Sequence, residues 1–383
     1  MWLTGRLRPD FKTIANFRKD NGKAIRGVCS QFVVICQQLG LFSEALVAID
    51  GSKFKAVNNR DRNFTSAKLR RRMEEIESSI NRYLAALDTA DRQEQSVAQA
   101  QSLRLEDKIA ALKTQMQELK AIEVRLNEAP DKQISLTDPD ARSMKTRGTG
   151  IVGYNVQTAV DAKHHLIVAH EVSNVGTDRD QLCSMATKAR TAMGTQELTV
   201  VADRGYFKGE EILACHEAGI TAIVPKTVTS NATAEGRFGK ADFIYDAKNN
   251  EYRCPAGQSL IWRYSTIEYG QTVHRYWSSH CQQCSLKEQC TPSSERRVTR
   301  WEHEAVLEAM QRRLDNAPEM MRIRRQTVEH PFGTMKSWMG ATHFLTKTLD
   351  RVSTEMSLHV LAYNLKHVMR LLGPDALMNA MRA

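Results

Sequence analysis

No stretch of this chain stays apolar for 18 residues, so no membrane-spanning helix is predicted. The opening residues, MWLTGRLRPDFK, lack the apolar core of a signal peptide, so secretion is not expected. Negative charge is in deficit. Asp plus Glu number 44 against 54 Lys plus Arg, a formal charge of +10. That balance disfavours an acidic binding surface and favours a polyanionic partner, most often nucleic acid. Cysteine is sparse, at eight residues. In a long basic chain without a signal, they point to reduced thiols or metal ligands rather than a disulfide framework. The 383 residues suffice for two or three structural units and a sizeable core.

Periodicity divides what is there. SQFVVICQQLGLF (30–42) reads as a buried helix, while Trp2 and Leu3 stand at the start with nothing before them to cover them. ALVAIDGSKFKA (45–56) reads as a short buried strand ending at Asp50-Gly51. Met73, Ile76, Ile80, Tyr83 and Leu87 then repeat at helical spacing. So do Leu105, Ile109, Leu112, Met116, Leu119 and Leu126, across the polar stretch DTADRQEQ. This is a helical hairpin with a coiled-coil seam, either a dimerisation or DNA-clamping arm or a self-contained projecting insert. From 151 to 226 the pattern is strand, strand, helix, strand, helix, strand, with Asp178 as a plausible N-cap and Gly219 closing the second helix. Such mixed order implies an α/β layered domain. In the closing helix, Met356, Val360, Leu361, Leu365, Val368 and Leu372 form a face suited to covering a sheet.

Two of the predicted strands end alike, in VAIDGSK and VVADRGY. Ligand sites of α/β sheets gather outside the carboxyl ends of strands, which places Asp50 and Asp203 well for a hard cation. The competing reading is an ordinary turn Asp before Gly. RRQTVEHPFGTMK (324–336) adds a carboxylate between cations. At about 100° per residue, Arg325, Glu329 and Lys336 share one helix face, and Arg322 joins them. Glu329 could complete a metal cluster, with the cations holding phosphates. Pro331 is expected to kink the helix beside it. The plain alternative is an i, i+4 Arg–Glu surface pair, which leaves the proline and Lys336 without a role.

These residues resemble the DDE transposases of bacterial insertion sequences. ADRGY, EHPFGTMK and DGSKFKAVN carry the likeness, and DPDARSM, GYNVQTAVD and the cysteine-bearing stretch resemble one branch of that family. The helix matches the family's pattern of Tyr, Arg, Glu and Lys at Arg325, Glu329 and Lys336, with Arg322 standing where the Tyr is usual. The resemblance implies an RNase H-like mixed sheet flanked by helices. It implies catalytic Asp50, Asp203 and Glu329 holding two Mg²⁺ or Mn²⁺ ions, one of which activates water to cut the element's end; the freed 3′-hydroxyl then attacks target DNA. Arg325, Lys336, Arg322, Arg204 and Lys53 are implied DNA contacts, with the transposon terminal repeats and target DNA as partners. A homodimer in the synaptic complex, a bacterial cytoplasmic location and an N-terminally truncated chain are implied as well. The expected units are a partial N-terminal helical domain at 1–44, the first catalytic strand at 45–60 and the hairpin insert at 61–135. The catalytic core follows at 136–226, a Cys-rich insert at 227–300 and the completing helices at 301–383. Asp138 and Asp140 are rivals for the first carboxylate; Asp50 is preferred because a buried strand precedes it.

Cys254, Cys281, Cys284 and Cys290 are four thiolates, two of them at C-x₂-C spacing, that suit a structural Zn²⁺. The alternative is a reduced insert held by Tyr252, Trp262, Tyr264, Tyr276 and Trp277. Cys29, Cys36, Cys183 and Cys215 read as core thiols. His164, His165 and His330 read as satisfied or DNA-facing. Against the transposase stand a catalytically inactive remnant that still occupies DNA, and a nuclease that only hydrolyses.

Overall fold

The computed structural model describes residues 8–42, 44–90, 95–146, 148, 150–227 and 232–382. Trp2, Leu3 and the middle of the polar hairpin stretch (91–94) lie outside them. The described chain opens with α1 (Phe11–Asp20) and α2 (Gly22–Gln38). Asp10 caps α1, its carboxylate accepting from the Thr13 N–H at 2.7 Å. α2 buries Ile25, Cys29, Phe32, Val33 and Cys36, a one-sided stripe that needs a core beneath it.

β1 follows (Leu46–Lys55). It does not end at Asp50-Gly51, as its sequence suggested. A later antiparallel partner pairs with it from Val47 to Lys55, and that ladder carries it through both residues. The helical hairpin comes next, as β2 (Asn63–Thr65), α3 (Ser66–Ala90), α4 (Gln95–Glu128) and β3 (Gln133–Ser135). β2 and β3 pair at its base. Leu69, Met73, Ile76 and Ile80 meet Leu112, Met116, Leu119 and Leu126 along its seam, in keeping with the helical period of the sequence.

The core is built from β4 (Arg142–Met144), β5 (Ile151–Asp161), β6 (Ile167–Ser173), α5 (Leu182–Met193), β7 (Leu198–Ala202), α6 (Gly209–Glu217) and β8 (Ile220–Ile223). Its six-stranded sheet has the order β4-β5-β1-β7-β8, with β6 also paired to β5. β1, β7 and β8 are parallel, and β5 is antiparallel to β1, β4 and β6. One face packs Val47, Ile49, Val200 and Ala202 against α5 and α6 through Leu182, Met185, Ala189 and Ile212. This is the α/β architecture expected from the sequence, a mixed sheet flanked by helices.

A second, five-stranded antiparallel sheet was not foreseen. It comprises β9 (Ile244–Asp246), β10 (Glu251–Arg253), β11 (Ser259–Glu268), β12 (Gln271–Trp277) and β13 (Val298–Trp301), with α7 (Lys287–Cys290) between the last two. Phe243, Tyr252, Leu260, Tyr276 and Val298 are its core, while Trp262 and Tyr264 stay on the surface. Arg300 ties it to the next helix, pairing with Glu308 and lying 3.7 Å from the centre of the Tyr245 ring.

Helices close the chain: α8 (Glu304–Asn316), α9 (Met320–Gly333), a π-helical turn (Thr334–Trp338), α10 (Leu349–Leu372) and α11 (Pro374–Ala380). α10 buries Met356, Val360 and Val368 and packs Leu361 and Leu365 towards α2. Leu372, placed on that face by periodicity, is exposed at the helix's last residue. Among the described residues, no helix is long and apolar enough to cross a membrane.

Candidate active site

The parallel ladder of β1 and β7 ends at Ile49↔Ala202. Asp50 is the next residue on β1 and Asp203 the first residue after β7, so they emerge side by side at the same level of the sheet. Side chains alternate across a strand. Ile49 and Ala202 turn into the α5–α6 core, and Ala48 and Val201 turn to the opposite face, where Val328 of α9 packs on them. Asp50 and Asp203 follow that second set. Burial of Val328 and Phe332, and of Met335 in the π-helical turn that follows, fixes α9 on this face, each contributing roughly 1.5–3 kcal/mol.

The side chain that meets the two acids is Arg324. One of its terminal nitrogens lies 2.6 Å from Asp50 Oδ1 and 3.6 Å from Asp203 Oδ2. The Arg324 side chain is only 15% exposed, against 22% for the Asp50 side chain and 48% for Asp203. Burial pushes the Asp50 carboxyl up to about 6; Arg324 opposes the shift, and the neighbouring charges of Asp203 and Asp178 add to it. Asp203 also accepts from the Gly205 N–H at 2.7 Å, which folds the DRGY stretch into a 3₁₀ turn (Arg204–Tyr206).

Asp178 is a third acid at this place, and sequence reasoning misread it. It does not cap α5, whose N-cap is Gln181. Its carboxylate lies over β1 instead, accepting from Asn155 Nδ2 at 2.7 Å, Gln157 Nε2 at 2.6 Å and Lys53 Nζ at 3.1 Å. Tyr206 is buried beneath and donates its hydroxyl to Gln157 Oε1. The GYNVQ and ADRGY stretches therefore meet in one polar network. Gly51 makes room for it: a Cβ there would lie 2.4 Å from Gln157 Nε2 and 2.6 Å from Asp178 Oδ1. Nothing within the sequence around residue 178 signals this role.

The remaining predicted residues divide. Lys336 turns inward, donating to Ser52 Oγ at 2.6 Å and to the Lys53 carbonyl at 3.2 Å, with its Nζ 4.4 Å from the centre of the Phe54 ring. Burial lowers its pKa, and Asp50 opposes this. The π-helical turn takes Lys336 off the α-helical register that would have aligned it with Glu329. Arg204, Arg322, Arg325 and Glu329 are exposed. Among the described residues, no hydrogen bond or ion pair joins Glu329 to Asp50 or Asp203, and no three His, Cys, Asp or Glu side chains close into a group able to hold a metal ion. Asp50 and Asp203 nonetheless share one cation between hard oxygen donors, the donor chemistry that Mg²⁺ takes. Lys53 is committed to Asp178.

Asp138 and Asp140 have other work. Asp138 is fully buried and accepts from the Tyr154 hydroxyl and the Thr348 N–H, while Asp140 accepts from the Leu349 N–H. Both hold the start of α10, where acids suit the helix dipole. Pro331 has no N–H for the carbonyl of Thr327. His330 Nδ1 lies 3.0 Å from the Tyr363 hydroxyl. In the second sheet, Cys254, Cys281, Cys284 and Cys290 all line one cavity. Burial raises the Cys290 pKa, with Arg296 opposing and the other three sulfurs adding to it.

The transposase DDE domain family matches residues 46–365, which span every acid of this site. The chain belongs to that family. No curated protein and no solved structure matches it. Membership makes it a transposase, with DNA as its substrate and nuclease and strand-transfer chemistry as its activity class.

Proposed function

We propose that this transposase performs metal-dependent strand cleavage and strand transfer at the ends of an insertion sequence. The observation that carries the reading is the convergence of Asp50 and Asp203, from the ends of one parallel ladder, on a single cation. Asp50 and Asp203 would hold Mg²⁺ or Mn²⁺, with Glu329, five residues beyond Arg324 on α9, as the third ligand. When bound, the metal supplies Lewis-acid stabilisation of the charge that develops on the transferring phosphate.

The chain's own groups do the rest. Asp178 and Lys53 brace β1 beside Asp50, so the carboxylate keeps its direction. Lys336 pins the π-helical turn to β1 and brings a positive charge near Asp50. Exposed Arg204, Arg322 and Arg325 suit the DNA backbone, whose binding by such cations is sequence-independent and weakens with salt. A homodimer would bring two ends together. In the second sheet, four thiols line one cavity and would have to draw together to hold a structural Zn²⁺.

The test is cleavage of a labelled duplex bearing the element's terminal repeats, with Mg²⁺ or Mn²⁺, by wild type and by Asp203→Asn and Glu329→Gln. Cutting at the repeat ends that either substitution abolishes, with DNA binding retained, supports the reading. Binding without cutting by the wild type would favour an inactive remnant. Hydrolysis without joined products would favour a nuclease.

A further inference from the structure

Arg324 belongs to none of the positions that the family resemblance singles out, yet it is the side chain that touches both acids. Three observations bear on it. Its guanidinium bridges carboxylates from two different strands. It is largely buried, although burying a guanidinium is unfavourable unless its charge is matched. Its Nε is buried and has no hydrogen-bond partner, so its fork of donors is only partly used.

We propose that Arg324 is a positioning residue that serves as the resident counter-cation of the acid pair. It holds Asp50 and Asp203 together against their mutual repulsion, and it competes with the divalent ion for their oxygens. Once displaced, its free donors suit a phosphate oxygen of the DNA, which a planar guanidinium binds in bidentate fashion. The helix geometry adds a consequence. Glu329 lies five residues on, about 140° around α9 from Arg324 at 100° per residue. A shift of α9 that brings Glu329 to the acids must therefore carry Arg324 away from them, and the adjoining π-helical turn gives that helix a neighbour of irregular register. The inference rests on the acid pair being the metal site.

The experiment measures thermal unfolding of the full chain in EDTA and across a titration of Mg²⁺ and of Ca²⁺. The proteins are wild type, Arg324→Gln, Arg324→Lys, Asp50→Asn and the Arg324→Gln/Asp50→Asn pair. A ligand that binds only the folded state raises the unfolding temperature in proportion to its occupancy. The expected result is an apparent metal dissociation constant about tenfold lower in Arg324→Gln than in wild type, because the competitor is gone. Arg324→Lys, which keeps the charge but not the fork, falls between them and guards against a variant that folds poorly. In EDTA, Arg324→Gln is destabilised, and the loss shrinks when Asp50 is already Asn. Equal metal affinity in wild type and Arg324→Gln, or additive losses in EDTA, overturns the inference. If Asp50→Asn responds to metal as wild type does, the acid pair is not the metal site. That result overturns the underlying reading, while the cycle in EDTA still decides whether Arg324 is the counter-charge.

Discussion

Replacing Asp178 with alanine tests whether the network under the site supports the fold as well as the chemistry. The carboxylate accepts from three donors, Asn155, Gln157 and Lys53, the last reaching both oxygens. Asn155 and Gln157 are fully buried, and the Lys53 side chain is only 14% exposed. Removing the acceptor leaves buried donors unpaired, at about 1–3 kcal/mol each. Asn155 keeps a second partner, the Val175 carbonyl at 3.1 Å, which places its loss at the low end. The stranded ammonium of Lys53 adds to the total, for about 3–5 kcal/mol. Asp178→Asn should be much milder, at about 1–2 kcal/mol. Asn155 and Gln157 both donate to Oδ1, which an asparagine retains, and only the Lys53 contact at Oδ2 is lost. Urea unfolding followed by circular dichroism gives both numbers from the midpoint shift at unchanged slope. An alanine variant within about 1 kcal/mol of wild type, or an asparagine variant as damaged as the alanine, would refute the reasoning.

Other substitutions probe neighbouring links. Gly51→Ala puts a Cβ into the space of Gln157 and Asp178 and should cost about 1–3 kcal/mol. That loss should shrink in an Asp178→Ala background, which a double-mutant cycle measures. His170, under α10 and 2.8 Å from Ser357 Oγ, has its pKa pushed down to about 4 by burial. Its folded pKa is below the unfolded value of about 6.5, so the unfolded state binds the extra proton between them. Its contribution is therefore present above about pH 6.5 and is lost as pH falls towards 4. His170→Gln should flatten stability against pH in that window, and an unchanged slope would count against burial as the cause. Elemental analysis should find about one zinc per chain, removed by pairing Cys281→Ser with Cys284→Ser. No zinc in the wild type would leave Phe243, Tyr252, Leu260 and Tyr276 as the support of the second sheet.

The sequence by itself determined the parts whose cause is local. The helical period of Met73, Ile76 and Ile80 against Leu112, Met116 and Leu119 needs only each helix's own apolar stripe, and the hairpin formed as that pattern required. The buried runs before Asp50 and Asp203 likewise announced strands, since continuous apolar residues serve a sheet covered on both faces. The second sheet gave weaker signals: its strands β9, β10 and β13 are only three or four residues long, and β11 leaves much of its length exposed. What only the tertiary structure decided is which charges meet. Asp50, Asp178, Asp203 and Arg324 stand far apart in the chain. Their encounter depends on the register of β1 with β7 and β5 and on which face of α9 is buried. Helical spacing put Arg325, Glu329 and Lys336 on one face of an ideal α-helix, but the π-helical turn takes Lys336 off that face, and spacing could not tell which side of the helix faces the sheet. Packing of Val328 on Ala48 and Val201 settled that, and it turned Arg324 towards the acids and left Glu329 in solvent.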